Sequence, residues 1–304
     1  MNKEQPLVSI VIPCYNHAKY VQEAIQSVID QNYENIEFII IDDGSKDESV
    51  TKIQEMIPAC QQRFKRFEFR YRPNKGLCAT LNEALEWCEG EFFAPVASDD
   101  IYFSYKTSEQ VNYLLKNNSC VAVFGGAKVI KENGELIVER PSSLKKYQFE
   151  DIILNKYSLF TPSQLIRTKI IRDVGCFDTT VMLEDWYIYL KISELGYSLD
   201  SIEGVYVSYR RHLNNTTNNI GLMHKERLKV LKIYSENKYY ESALAEFNFT
   251  KARELVPETK IGSAKYFLIA FFKKPRIFYR LDTLKLIVKF FIPKKILLAK
   301  QIGR

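Results

Sequence analysis

The sequence of 304 residues holds only six cysteines, three histidines and two tryptophans. The cysteines, at positions 14, 60, 78, 88, 120 and 176, include no C-x-x-C pair. That spacing suggests neither a zinc cluster nor a disulfide framework, and the expectation is reduced thiols in a cytoplasmic protein. Twelve glycines and ten prolines are too few for a collagenous or low-complexity chain. No G-x-G-x-x-G follows the first strand-like segment, which argues against a dinucleotide-dependent oxidoreductase. Met1 to Pro6 lacks the charged, apolar and cleavage regions of a signal peptide. The longest apolar run of the basic tail, Tyr266 to Phe272, is far shorter than the ~20 residues that span a bilayer.

What is present describes an ordinary globular chain, 46% hydrophobic and 26% charged. The net charge of +6 is unevenly spread. From Gly262 to Arg304 there are eleven Lys/Arg against one acid, Asp282, so this segment carries +10 and the other 261 residues carry −4. An acidic body with no recognisable nucleic-acid module argues against nucleic acid as a partner.

The first hundred residues alternate strand and helix. Leu7 to Ile12 reads as a buried strand stopped by Pro13; Val21, Ala24, Ile25, Val28 and Ile29 then fall on one helical face. Ile36–Ile41, Phe67–Tyr71 and Glu91–Ala97 are further strands, with helices between them. Strands separated by crossover helices build a mainly parallel sheet, whose ligand site lies beyond the carboxyl ends of the strands. Asp42-Asp43 and Asp99-Asp100 both stand at such ends and are expected to converge. Beyond Asn118, Val129–Val138 reads as a hairpin around Asn133-Gly134, Ile188–Leu195 as a helix stopped by Gly196, and 221–256 as mostly helical.

Four groups could carry chemistry. The Asp99-Asp100 pair could hold a divalent cation and through it a diphosphate, or simply close a turn. Asp42-Asp43-Gly44-Ser45 reads equally well as a turn leading into an N-cap. Glu184-Asp185 precedes Trp186-Tyr187 and fits either a general base or acids favoured at a helix N-terminus. Tyr209-Arg210-Arg211-His212 could neutralise phosphate or complete a metal site, and His212 could equally be structural.

Taken in order, Val8–Asn16 with its Pro13-Cys14-Tyr15-Asn16, Ile41–Asp47, Asn74-Lys75-Gly76, Ser98-Asp99-Asp100 and Glu184-Asp185-Trp186 resemble the inverting, nucleotide-sugar-dependent glycosyltransferases of the family-2 type. Many of these build bacterial surface polysaccharide. The resemblance runs from Pro6 to His212. It implies an α/β GT-A fold, Rossmann-like, with a mixed, mainly parallel sheet flanked by helices. It implies that Pro13 and Tyr15 line the nucleotide pocket, Asp43 accepts from the base, and Asp99 lies near the ribose and diphosphate. Asp99 and Asp100, with His212, would hold Mg²⁺ or Mn²⁺. Asp185 would be the catalytic base and Glu184 its neighbour near the acceptor. Ala97 stands where many members carry an acid and Leu81 where many carry arginine. The Gln-x-x-Arg-Trp motif of processive synthases is absent, which implies one sugar per encounter. The partners implied are a UDP-sugar and a glycan or polyprenyl-diphosphate-linked acceptor, in O-antigen or capsule synthesis. A nucleotide-sugar-binding protein without catalysis and a nucleotidyltransferase are the competing expectations.

The expected organisation is a GT-A domain over 1–220, a helical extension over 221–261 and a basic amphipathic tail over 262–304. In the tail, Leu284, Ile287, Val288 and Phe291 form a helical stripe, with Lys285 and Lys289 on another face. Such a segment fits a helix lying on an anionic membrane at its cytoplasmic face, or one packed back on the protein with its lysines in water.

Overall fold

The computed structural model describes residues 5–212, 215, 219–293 and 296. They fall into two compact units. One holds the described residues of 1–149 and 157–215, the other those of 150–156 and 216–304.

The first unit is built on one ten-stranded sheet. β1 (Val8–Cys14) lies at the heart of its parallel half, between β2 (Ile36–Asp42) and β4 (Phe92–Pro95), with β3 (Phe67–Tyr71) outside β2. β1 and β2 are mostly apolar because both of their faces are covered; every residue of β2 is buried. Helices α1 (Val21–Ile29), α2 (Ser49–Arg63) and α3 (Leu77–Trp87) are the crossovers. α1 buries Val21, Ala24, Ile25 and Val28, the face expected from their spacing.

The sheet continues through antiparallel neighbours. β5 (Ile101–Tyr102) pairs with the last long strand, β10 (Ser198–Arg211), and β6 (Cys120–Lys131) runs parallel to β10. β7 (Leu136–Arg140) returns along β6 through a turn in which Gly134 has φ +85°, so the Asn-Gly hairpin forms as its sequence implies. β8 (Lys145–Tyr147) pairs with β10. β9 (Leu165–Arg167) is antiparallel to both β4 and β6 and joins the two halves. The expected mixed, mainly parallel α/β sheet is therefore present. After α4 (Lys106–Lys116), α5 (Phe149–Ile153) and α6 (Thr168–Asp173), α7 (Glu184–Glu194) begins four residues before the expected Ile188, because Glu184 and Asp185 occupy its first turn rather than the loop before it.

The second unit is helical. α8 (Ile220–Ile233), α9 (Tyr240–Leu255), α10 (Lys260–Lys273) and α11 (Leu281–Phe291) account for most of it. Ala245, Phe249 and Ala252 of α9 share a core with Ala270 of α10, Ile277 and Leu286 of α11. Helices from both the 221–261 extension and the 262–304 tail thus contribute to one core. Part of the tail's basic charge is also engaged here. Arg280 makes a two-pronged pair with Glu246 at 2.6 and 2.7 Å, and Lys274 reaches the same carboxylate at 2.9 Å. Lys294, Lys295 and residues 297–304 of the tail lie outside the described residues.

Candidate active site

The carboxyl ends of β2 and β4 lie on either side of the end of β1, with Asp42 opposite Cys14 and Pro95 opposite Val11. The loop after β1 ties the two acidic clusters together. Asn16 accepts from the Lys46 amide at 2.7 Å, and its own amide donates to Ser45 Oγ at 2.8 Å. One residue on, the His17 amide donates to Ser49 Oγ at 2.9 Å, while its Nδ1 lies 2.7 Å from Ser98 Oγ. The convergence expected from topology is what these bonds achieve.

The members of each pair differ in position. Asp42 closes its own turn, accepting from the Gly44 and Ser45 amides and the Ser45 hydroxyl. Asp43 is buried and accepts from the Lys75 amide at 2.8 Å, the Gly76 amide at 2.9 Å and the Arg72 guanidinium. Both of its oxygens are thus bound by the protein, though a carboxylate has lone-pair room for more. Tyr15, expected beside the nucleotide, is exposed at 46%, and Pro13 lines a cavity described below.

β4 stops at Pro95, two residues before the expected Ala97, and the chain turns so that the Asp100 amide donates to the Ala97 carbonyl at 3.0 Å. This turn separates Asp99 from Asp100. Asp99 Oδ2 lies 2.8 Å from His212 Nε2, and its Oδ1 is 3.8 Å from His17 Nδ1. One ligand-type atom from each of His17, Asp99 and His212 falls within 4.8 Å of the others. Asp100 is not in this group. It is buried, takes the Arg210 amide at 2.9 Å on Oδ1, and has no partner among the described residues on Oδ2. Burial first, and then the charge of Asp99, push its carboxyl well above the ordinary range.

Arg210 fixes this corner. Its guanidinium is 2% exposed and donates to the carbonyls of Asp99 (3.0 Å) and Glu132 (2.9 Å) and to Glu23 (2.5 Å). Three of its five N–H donors are thereby engaged within the protein. It also lies over the Tyr20 ring, which stacks on His212 with centroids 5.4 Å apart.

A cavity of about 110 Å³ reaches Ala97, two residues before Asp99 in the chain. Its lining includes Pro13, Leu81, Ala97, Thr161, Glu184 and Asp185, so the end of β4 and the start of α7 face one space. Asp185 accepts from the Thr161 hydroxyl at 2.8 Å and from the Trp186 amide at 2.6 Å. Those two donors hold a carboxylate facing a largely apolar cavity. Burial, reinforced by the Asp185 charge, raises the Glu184 carboxyl from 4.5 to about 8. Of the pair, Glu184 is the one whose carboxyl is held toward its protonated form. Sequence reasoning missed His17 and Thr161. His17 stands in the loop after β1, at the kind of strand end that singled out the aspartates, and that signal was available. Thr161 carries no motif.

Comparison with known proteins bears on what this arrangement is. Residues 9–175, more than half of the chain, match the family described as Glycosyl transferase family 2. An uncharacterized glycosyltransferase of Rickettsia typhi is 30% identical over 71% of this chain and 68% of its own length. One from Rickettsia felis is 32% identical over 74% of this chain, but the match spans only 37% of that longer protein. The chain spans roughly a third of the length of the longer Rickettsia relatives. Among solved structures, S. aureus TarS 1–349 in complex with UDP-GlcNAc superimposes with a TM-score of 0.63, covering 87% of this chain and 79% of that one at 17% identity. A mannosyltransferase of Pyrobaculum calidifontis, in complex with GDP-Man and Mn²⁺, gives 0.57 over 94% and 86% at 14% identity. At such identities the likeness is one of fold, and the fold is GT-A.

Proposed function

The chain belongs to glycosyl transferase family 2, and on that premise we propose that it transfers one sugar, a hexose carried on UDP, to a hydroxyl of a glycan or polyprenyl-diphosphate-linked acceptor with inversion. The observation that carries this reading is the cavity that Asp185, held by Thr161, lines together with Pro95 at the end of β4 and Ala97 in the turn beyond it, two residues from Asp99. Asp185 accepts the proton of the acceptor hydroxyl. The freed oxygen electron pair attacks the anomeric carbon from the face opposite the diphosphate. The bond from that carbon to the diphosphate oxygen breaks, and the nucleoside diphosphate leaves with the pair. Attack from the opposite face inverts the centre, so no protein nucleophile is needed. Glu184, its carboxyl pushed toward the protonated form by burial and the Asp185 charge, stays beside the acceptor.

A divalent cation fits the donors at Asp99 and His212, a carboxylate and an imidazole 2.8 Å apart. Bound there, it supplies the charge that stabilises the departing diphosphate. Pro13, Tyr15 and Asp43 are assigned to the nucleotide. Support for a nucleotide-sugar donor comes from the complexes in which TarS holds UDP-GlcNAc and the mannosyltransferase holds GDP-Man.

The same reading places the protein on the cytoplasmic face of a membrane, where surface-polysaccharide carriers are built. No described helix is long and apolar enough to cross a bilayer. α11 turns Leu286 inward and leaves Leu281, Leu284, Val288 and Phe291 exposed along one side, Phe291 at 83%. An apolar outer stripe with Lys285 beside it suits an interfacial helix.

The test is titration calorimetry with UDP, GDP, CDP and NAD, with and without Mn²⁺, followed by turnover assays of the wild type and Asp185→Asn. UDP binding, release of UDP during turnover and loss of turnover in Asp185→Asn are expected. Release of pyrophosphate instead would make the protein a nucleotidyltransferase. UDP binding with no turnover on any acceptor would make it a binding protein.

A further inference from the structure

We propose that His17 completes the cation site, so that one ion is bound by two imidazole nitrogens and one carboxylate oxygen, from His17, His212 and Asp99, and that this donor set selects Co²⁺ and Zn²⁺ over Mg²⁺. The inference rests on the reading above only in taking the cation to serve a diphosphate.

The chain has three histidines, and two of them meet at one aspartate. The separations suit a shared ion. Bonds of ~2.1 Å to nitrogen or oxygen put neighbouring ligand atoms ~3.0 Å apart in an octahedron and ~3.4 Å apart in a tetrahedron. The observed 2.8 Å from His212 Nε2 to Asp99 Oδ2 lies just below those values and the 3.8 Å from His17 Nδ1 to the other oxygen, Oδ1, just above them, and one ligand atom of each residue lies within 4.8 Å of the others. Small side-chain adjustments therefore close the site.

Its parts are held in place beforehand. The Arg210 guanidinium grips the Asp99 carbonyl, and the Tyr20 ring stacks on His212. The two imidazoles stand edge to face, centroids 5.4 Å apart, which lets both present a nitrogen to one point. His17 is anchored through its backbone amide to Ser49. Its Nδ1 pairs with the Ser98 hydroxyl, and cation capture exchanges that hydroxyl for the metal.

The chemistry of the set then decides the ion. Mg²⁺ is a hard cation that prefers oxygen and keeps its waters, and this cluster offers it one carboxylate. Imidazole nitrogen suits later, softer divalent ions, whose affinities rise from Mn²⁺ through Co²⁺. Asp100, the other oxygen donor close by in sequence, is tied to the Arg210 amide and lies outside the cluster. At position 97, where a carboxylate would have added a hard ligand, the chain has alanine.

The experiment is calorimetry of the full chain with Mg²⁺, Mn²⁺, Co²⁺ and Zn²⁺ and no nucleotide, together with the visible spectrum of bound Co²⁺. Co²⁺ and Zn²⁺ are expected to bind at one site per chain, each tighter than Mn²⁺, with Mg²⁺ at least tenfold weaker than Co²⁺. His17→Ala and the bulkier His17→Gln should each weaken Co²⁺ at least tenfold and alter its spectrum, while circular dichroism stays unchanged. Ser98→Ala should keep or tighten binding. His224→Ala, which removes the one histidine outside the cluster, should leave it unchanged. Equal affinity for Mg²⁺ and Co²⁺, or a Co²⁺ site indifferent to both His17 variants, overturns the proposal. Normal Co²⁺ binding in a protein that takes no nucleoside diphosphate would instead overturn the glycosyltransferase reading and leave this one standing.

Discussion

Glu184 makes a linkage prediction that needs no substrate. Its carboxyl is raised from 4.5 to about 8, first by burial at the start of α7 and then by the neighbouring Asp185 charge. In the unfolded chain Glu184 loses its proton near 4.5, while in the folded protein it keeps it to about 8. Below 4.5 both states are protonated and the contribution to stability is fully present. As pH rises from 4.5 to about 8 the unfolded state sheds a proton that the folded state retains, so stability falls; above about 8 the loss is complete. At about 1.4 kcal/mol per pH unit, that interval sets a ceiling of about 5 kcal/mol on the loss. Glu184→Gln keeps the shape and the neutral hydrogen-bonding character but cannot ionise. Urea unfolding of both proteins from pH 4.5 to 9, followed through the buried Trp186 next along the helix, measures the difference. The wild type should lose stability relative to Glu184→Gln by several kcal/mol across this range. Parallel profiles would refute both the raised carboxyl and the division of labour that leaves the base role to Asp185.

Leu286→Ala removes a buried side chain from the core shared by α9, α10 and α11 and should cost about 2–5 kcal/mol in urea unfolding. Leu284→Ala and Val288→Ala, two residues to either side and exposed, should change stability by under about 0.5 kcal/mol yet lower co-sedimentation with anionic phosphatidylglycerol vesicles. Arg210→Met strips the donors from the Asp99 and Glu132 carbonyls and should cost on the order of 3 kcal/mol, read as a lower urea midpoint. Gly125→Ala in β6 would set a Cβ 1.9 Å from a Tyr206 ring carbon, and the forced shift should cost about 1–3 kcal/mol in the same assay.

Local order was legible wherever one physical rule acted alone. β1 and β2 are rich in valine and isoleucine, and their strand character follows from burial on both faces. The Asn133-Gly134 turn was readable because the tight reversal between Lys131 and Glu135 needs a positive φ, and glycine supplies it freely. β9 was not readable: three residues carry no period, and Leu165–Arg167 becomes a strand only because β4 and β6 flank it. The site follows the same division. The strand-end rule pointed to the pairs Asp42-Asp43 and Asp99-Asp100, whose backbone positions follow from the topology. It could not tell Asp99 from Asp100, because side-chain direction there depends on a turn after Pro95 and on Arg210, a residue 110 positions further along than Asp100. Nor could it reach Thr161, which meets Asp185 only through tertiary packing. The tail shows the converse. Leu284, Val288 and Phe291 do share an outer face, as their spacing implied, but periodicity alone cannot say which face of a two-sided apolar helix turns inward. Leu286 and Thr283 decide that, by packing into the second unit, and what they leave outside is the stripe that the vesicle measurement addresses.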